Sequence, residues 1–353
     1  MGKRVLVGMS GGVDSSVAAL LLKQQGYDVT GMTMRLRPDE MMSQSSAGGC
    51  CSLDDIDDAR RVCYRLGIDH IVMNFTDAFS RDVIDYFADS YKAGRTPNPC
   101  VACNKHLKFG AALRRALELD FDYIATGHYV VRREEGGRVL LYRSPSPKDQ
   151  SYMLYNLTPF QLSHALFPLG EMDKPAIRRL AEEAGLPVAH KPDSQDICFV
   201  EDGDYAGFLS RWAGLTDTPG DFVDADGRVI GQHRGIFHYT VGQRKGLGAF
   251  GAPRYVTGID AARNVVTLGP EGSQYRRELI AEDVNFIPFP TLGGETRVQA
   301  AIRYRARPAD ATLFPMEDGG VRVVFDTPQR SVTPGQAVVF YQGDLLLGGG
   351  TIR

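Results

Sequence analysis

An apolar run at residues 5–7, the stretch GMSGGVDSS at 8–16 and a second apolar run at 17–22 follow one another without a gap. That order compresses a strand, a tight turn and a helix start into one short unit, with Ser and Asp where a helix N-cap sits. Gly11 and Gly12 let backbone N–H groups approach an anion closely, and the first turn of the helix adds the positive end of its dipole. The unit reads as a phosphate cradle, and not the commoner one. A Walker A loop has the form G-x-x-x-x-G-K-[ST], and the Lys that grips the outer phosphates is missing here.

Strand-like runs go on alternating with helical stretches to about residue 200. Strands are predicted over 29–34, 71–74 and 123–126, and helices over 54–66, 79–92 and 108–119. Alternation of this kind predicts a doubly wound parallel sheet with ligands at the carboxyl ends of its strands. Residues 35–52 read as a long loop. Past Gly203 the pattern changes to short alternating runs between turn signals such as Asp226-Gly227, Gly235, Gly258, Gly269-Pro270 and Gly293-Gly294, which predicts β-rich modules. The expected division is a catalytic domain over 1–204, a central β-rich domain over 205–280 and a C-terminal domain over 281–353.

The net charge of −3 over 353 residues means that any nucleic-acid contact comes from local basic patches. No segment resembles a signal peptide or a membrane span, so a cytoplasmic enzyme without membrane partners is expected. Six cysteines in a chain of this length are too few for a disulfide scaffold and point to metal binding or catalysis.

The thiols fall at informative places. In GRTPNPCVACNKHLKF, at 94–109, two prolines flank Asn98, so Cys100-x-x-Cys103 reads as a turn just ahead of a helix. Lys105 and His106 beside a helix N-terminus favour the thiolate form there. A third thiol, Cys198, lies in KPDSQDICFV at 191–200, approached by Ser194, Gln195 and Asp196, whereas Cys63 reads as a buried structural residue of a helix. His70, His164 and His190 read as structural. His128 follows a strand end at Gly127 and is kept as a site residue. In AIRYRARP, at 301–308, a strand would put Arg303, Arg305 and Arg307 on one face to meet phosphates and Tyr304 on the other to stack on a base. Gln243-Arg244-Lys245 reads as either a basic RNA contact or a solvated turn. The glycines 246, 248 and 251 match a dinucleotide fingerprint only by letter, since no helix follows.

The runs SGGVDS, NPCxxCNxxLKF, ATGHY, KDQSY, DSQDICF and YTVGQRKGLG occur in that order, ahead of a closing GDLLLGGG at 343–350. Together they resemble the bacterial tRNA-specific 2-thiouridylases, members of the ATP-pyrophosphatase (PP-loop) group, along essentially the whole chain. The resemblance implies an ATP-pyrophosphatase domain followed by two smaller β-rich domains, the last a β-barrel. It implies adenylation of the C2 oxygen of the wobble uridine of tRNA and its replacement by sulfur, with ATP split to AMP and pyrophosphate. ATP, with Mg2+, would meet Gly8, Met9, Ser10, Gly11, Gly12, Val13, Asp14, Ser15, Met34 and Gly127. Cys103 would be catalytic and Cys198 would carry persulfide sulfur. Asn98, His128, Lys148, Asp149, Gln150, Arg303, Tyr304 and Gln336 would touch tRNA, and a sulfur-donor protein or hydrosulfide would be the other partner; DNA is not expected.

One position departs from the family pattern: Cys100 stands where the better-known motif has Asp. Three thiols, Cys100, Cys103 and Cys198, raise the alternative of a 4Fe–4S cluster with an open iron for hydrosulfide. A zinc site completed by Cys50 or Cys51 is a further alternative, though a closed thiolate site leaves no room for sulfur chemistry. Rival functions are an amidotransferase-like synthetase of the same PP-loop group acting on a small molecule, and a tRNA-binding protein without activity. The first leaves the cysteines unused and the second leaves the SGGVDS loop unused.

Overall fold

The computed structural model describes residues 2–37, 53–193, 197–200 and 203–353. Residues 38–52 of the loop expected over 35–52, Cys50 and Cys51 among them, and Ser194 to Asp196 lie outside the described residues.

The described chain clusters into two compact units. The first holds residues up to 83, 100–203 and 344–346; the second holds 84–99, 204–343 and 347–353. In the first unit, β1 (Arg4–Gly8) has the fully buried centre of a strand covered on both faces. It leads through residues 9–12 into α1 (Val13–Gln24), then β2 (Asp28–Arg35), α2 (Leu53–Leu66) and β3 (Asp69–Asn74). Then follow β4 (Tyr123–Ala125), β5 (Val130–Glu135), β6 (Arg138–Arg143), β7 (Ala165–Leu166) and α3 (Lys174–Glu183). The sheet runs β3-β2-β1-β4-β7, with every pair parallel. The chain moves outward from β1 to β3 and then returns to β4 on β1's other side. The ends of β1 and β4 therefore flank the point where strand order reverses, which is where open α/β sheets bind ligands. Val5 and Val7 of β1, Val17 of α1, Val62 of α2 and Ile177 of α3 share one fully buried cluster.

In the first unit two elements differ from expectation. The helix expected at 108–119 begins instead at Pro99 and runs through Pro99–Ala102, Cys103–Ala111 and Ala112–Glu118. Proline at the first helical position lacks only an N–H that would have no partner there, so it starts the helix. Cys100 and Cys103 thus sit within a helix, one turn apart, and not in a turn ahead of it. The middle segment is wound as a π-helix, a form that recurs at functional sites. The β5–β6 hairpin was not anticipated; Gly136 and Gly137, both with φ near +60 to +75°, make its two-residue turn.

The second unit contains α4 (Tyr205–Ala213), capped by Asp204, whose carboxylate accepts from Gly207 N at 2.9 Å. A four-stranded sheet follows, made of β8 (Gly220–Val223), β9 (Val229–His233), β10 (Tyr255–Asp260) and β11 (Val265–Gly269), ordered β10-β11-β8-β9. Phe222, Tyr239, Leu247, Val256, Val266 and Leu268 form its core. Six further strands close into the expected barrel: β12 (Tyr275–Phe286), β13 (Thr296–Ala301), β14 (Ala309–Pro315), β15 (Val321–Arg330), β16 (Ala337–Gln342) and β17 (Leu345–Ile352). Their order is β12-β15-β14-β13-β16-β17, and β17 pairs back onto β12, so no edge is left.

The strand expected at 301–308 does not form. β13 ends at Ala301, and Ala306 N closes a turn on the Arg303 carbonyl at 3.1 Å. Arg305 takes φ +65°, with its guanidinium 5.5 Å from the centre of the Tyr304 ring. Arg303 donates to the Arg330 carbonyl at 3.2 Å and stays exposed, as do Arg305 and Arg307.

Candidate active site

The loop between β1 and α1 is closed on itself by its own serines. Ser10 N donates to Ser15 Oγ at 3.2 Å, Ser15 Oγ donates to the Gly12 carbonyl at 3.1 Å, and Ser16 Oγ donates to the same carbonyl at 2.8 Å. Met9 N donates to the Met32 carbonyl of β2 at 2.8 Å, and Met9 and Val13 are buried beneath the loop. Gly11 needs to be glycine on two counts. Its φ is +69°, and an added Cβ would lie 2.6 Å from the Asp55 carbonyl oxygen. Gly12 caps α1 from extended backbone with no side-chain hydrogen bond, which leaves the first N–H groups of the helix to an anion. Gly8 and Met34 end β1 and β2 on the same edge of the sheet and are half-buried.

The loop after β4 closes the other side. A Cβ on Gly127 would meet the carbonyl carbon of Asp14 and the nitrogen of Ser15, each at 2.9 Å, so this backbone lies directly against the start of α1. His128 beside it is buried, with Nδ1 2.7 Å from Thr126 Oγ1 and its ring near Phe109 and Phe167. Burial, and secondarily the Lys108 charge, holds its pKa well below the usual imidazole range, so it is neutral at pH 7. In this position His128 shapes the loop from within and offers no charge to a phosphate.

Four residues that the sequence did not single out complete the site. Asp14 Oδ1 accepts from Tyr129 OH at 2.7 Å and from Lys174 Nζ at 2.8 Å. The same ammonium lies 2.6 Å from Asp193 Oδ1. Asp193 also pairs with Lys148, and Arg178 stands 3.7 Å away. Burial alone would raise the Asp193 carboxyl, but Lys148 and Lys174 outweigh it and hold it below the usual carboxylate range. The network therefore contributes stability at neutral pH that is lost as the pH falls through that lowered value. Burial, then the Asp14 charge, raises the Tyr129 phenol, which stays protonated as a donor. Tyr129 and Asp193 lie within the ATGHY and DSQDICF runs, though neither stood out there as a site residue, and Lys174 and Arg178 had no local signal.

The KDQ run serves this network. Lys148 is on Asp193. Asp149 accepts from Ser144 N at 2.8 Å and Ser151 Oγ at 2.7 Å, which ties its loop together. Gln150 Oε1 accepts from Tyr129 N at 3.0 Å while Gln150 N donates back to the Tyr129 carbonyl at 2.8 Å.

Of the thiols, Cys100 is exposed and Cys103 and Cys198 are half-buried. Asn104 Nδ2 donates to the Met153 carbonyl at 3.1 Å, which anchors the Cys103 helix to the segment after Gln150. Arg37, just past β2, donates to the Cys198 carbonyl, and Phe199 packs edge-on against Phe79 at 5.7 Å. Cys198 is thus fixed near the end of β2, on the ligand edge of the sheet. Cys63 is buried inside α2, and burial pushes its thiol up to about 11, which keeps it inert. Among the described residues no three His, Cys, Asp or Glu side chains are grouped to hold a metal ion. Cys100 and Cys103 stand on the helix that starts at Pro99, and Cys198 lies on the segment held by Arg37.

In the second unit, Gln336 Nε2 donates to the carbonyls of Thr96 at 2.8 Å and Pro97 at 3.1 Å, bracing the loop that carries half-buried Asn98. Arg303 and Tyr304 sit on the turn after β13. Among the described residues no helix is long and apolar enough to cross a membrane.

Comparison with known proteins agrees with this architecture. A family model described as the tRNA methyl transferase HUP domain matches residues 3–202. A PRC-barrel domain model of the same name matches 207–270, and an aminomethyltransferase beta-barrel domain model matches 276–352. The tRNA-specific 2-thiouridylase MnmA of Acetivibrio thermocellus is 55% identical over 356 residues, 99% of each chain. That of Clostridium acetobutylicum is 53% identical over 355 residues, 100% of each. MnmA 2 of Caldanaerobacter subterraneus subsp. tengcongensis is 56% identical, over 99% of this chain and 98% of its own. Over its whole length, and with its thiols and its phosphate loop intact, the chain belongs to the tRNA-specific 2-thiouridylase family.

Proposed function

We propose that this protein is a tRNA-uridine 2-sulfurtransferase that spends ATP, as AMP and pyrophosphate, to exchange the C2 oxygen of the wobble uridine for sulfur. The observation that carries the reading is the packing of Gly127, just past β4, directly against Asp14 and Ser15 at the start of α1, whose first N–H groups have no side-chain cap. These donors suit the charge that grows on departing pyrophosphate. Magnesium bound chiefly through phosphates needs few protein ligands, and Asp14 supplies a carboxylate at the loop. When bound it would neutralise phosphate charge.

In the first stage the C2 oxygen attacks the alpha phosphorus, the bond to the bridging oxygen breaks, and pyrophosphate leaves with the electron pair while the N3 proton passes to solvent. In the second, Cys103 thiolate attacks the inner sulfur of a Cys198 persulfide. The sulfur–sulfur bond breaks and hydrosulfide is released; it adds at C2 and expels AMP. The resulting Cys103–Cys198 disulfide is returned to thiols by a dithiol reductant, and a persulfide donor reloads Cys198. The uridine must be splayed from the anticodon loop to reach the site. No step is routed through an iron–sulfur cluster, since the persulfide scheme needs only Cys103 and Cys198. An amidotransferase-like synthetase would have no use for Cys103 and Cys198.

Pyrophosphate release measured with and without tRNA tests this reading. Release should depend on tRNA, and Asp14→Ala should cut it at least about a hundredfold with tRNA affinity within about twofold. Release that ignores tRNA contradicts the proposal.

Arg303 and Tyr304, on an exposed turn, suit a phosphate and an unpaired base. Arg303→Ala should lower tRNA affinity and flatten its dependence on salt, the slope falling by about one phosphate's share. An unaltered slope in binding titrations would remove Arg303 from the RNA surface.

A further inference from the structure

The ion network beside the phosphate loop holds more positive charge than its carboxylates need. Among the described residues Lys174 and Lys148 share the carboxylates of Asp14 and Asp193, and Arg178, which donates to the carbonyls of Ala189 and Lys191, stands 3.7 Å from Asp193. The Lys174 side chain is 12% exposed, against 39% for Lys148, so it is the least hydrated of these cations. Its backbone is the first residue of α3, fixed by Asp173, whose carboxylate accepts from Ala176 N at 2.8 Å, and by the proline that follows. The stem of a lysine on so rigid a base can swing its ammonium between partners without moving the chain.

From this arrangement we infer that Lys174 is a catalytic residue of the adenylation step, exchanging Asp14 for the beta and gamma phosphates of ATP and following them as pyrophosphate leaves. This rests on the reading of residues 8–16 as the pyrophosphate loop. A polyphosphate carries more negative charge than the single Asp14 carboxylate and outcompetes it for the ammonium. Asp193 stays paired with Lys148 and keeps Lys174 from swinging out to solvent. As the bond from the alpha phosphorus to the bridging oxygen breaks, its electron pair moves to pyrophosphate. The ammonium donates to that oxygen as the loop N–H groups donate from the other side. Lys174 keeps its proton and is unchanged by the step. A lysine that merely fastened α3 to the loop would be equally important to every ligand of the site.

The test compares two probes on the full-length protein, inorganic pyrophosphate and AMP, each binding measured with magnesium present. Lys174→Gln should weaken pyrophosphate about tenfold to a hundredfold and slow pyrophosphate release by at least as much, with AMP affinity within about twofold. Lys174→Arg, which keeps the charge, should recover most of the pyrophosphate affinity even if Lys174→Gln folds poorly. Pyrophosphate affinity that is unchanged in Lys174→Gln, or that falls in step with AMP, overturns the catalytic role. The same holds if Lys174→Arg is folded yet recovers nothing. Wild-type protein that fails to bind pyrophosphate at all overturns the reading of the loop, and this inference with it.

Discussion

Cys103→Ser and Cys198→Ser are each expected to drop 2-thiouridine in tRNA below about one part in a hundred of wild type while tRNA-dependent pyrophosphate release continues. The separation follows from the site's layout. The loop that handles phosphates is built from β1, α1 and the turn after β4, whereas the thiols come from the helix starting at Pro99 and from the segment held by Arg37. Nucleoside analysis of tRNA together with a pyrophosphate assay reads both halves. Cys63→Ser should keep thiolation and cost about 1 kcal/mol of stability, since it swaps a buried thiol for a hydroxyl where an added Gly31 Cβ would fall 2.5 Å from the sulfur. Cys100→Ala should retain thiolation with a persulfide donor. Complete loss of activity together with bound iron in that variant would put a cluster in the mechanism in place of the persulfide.

Gly127→Ala should be strongly damaging to the phosphate loop. Gly127 does not have the positive φ that favours glycine, so its backbone alone would tolerate alanine. Space is the obstacle: the new carbon would lie 2.9 Å from two backbone atoms at the start of α1, which no side-chain rotation can relieve. Either α1 or the loop after β4 must move. The expected cost is about 1–3 kcal/mol in stability with ATP binding weakened at least about tenfold. Thermal melts with and without ATP check it, and an ATP-induced shift equal to that of wild type would show that the contact is not part of the site.

The phosphate loop was legible in sequence because its chemistry is local: a buried strand, glycines and a helix start are neighbours along the chain. The parallel sheet was legible for the same reason. Lys174 was not, because its partners Asp14 and Asp193 are brought together only by folding. The Cys100-x-x-Cys103 segment misled because prolines signal turns, whereas Pro99 starts a helix that keeps both thiols on one side of it. At 301–308 alternating charge imitated a strand. The positive φ of Arg305 and the packing of its guanidinium on Tyr304 select a turn instead, and nothing in the alternation reveals that. His128 was legible as a neighbour of the site but not as a buried, neutral one, since burial depends on Phe109 and Phe167 arriving from distant segments.

The central claim is that one ATP is split to AMP and pyrophosphate for each uridine thiolated. It is tested by incubating the purified protein with unmodified tRNA, magnesium, ATP labelled at the alpha phosphate, a persulfide donor and a dithiol, then counting products. The account predicts AMP, pyrophosphate and 2-thiouridine in equal amounts, with no ADP. Thiouridine formed without AMP, or ADP and phosphate in its place, would contradict it.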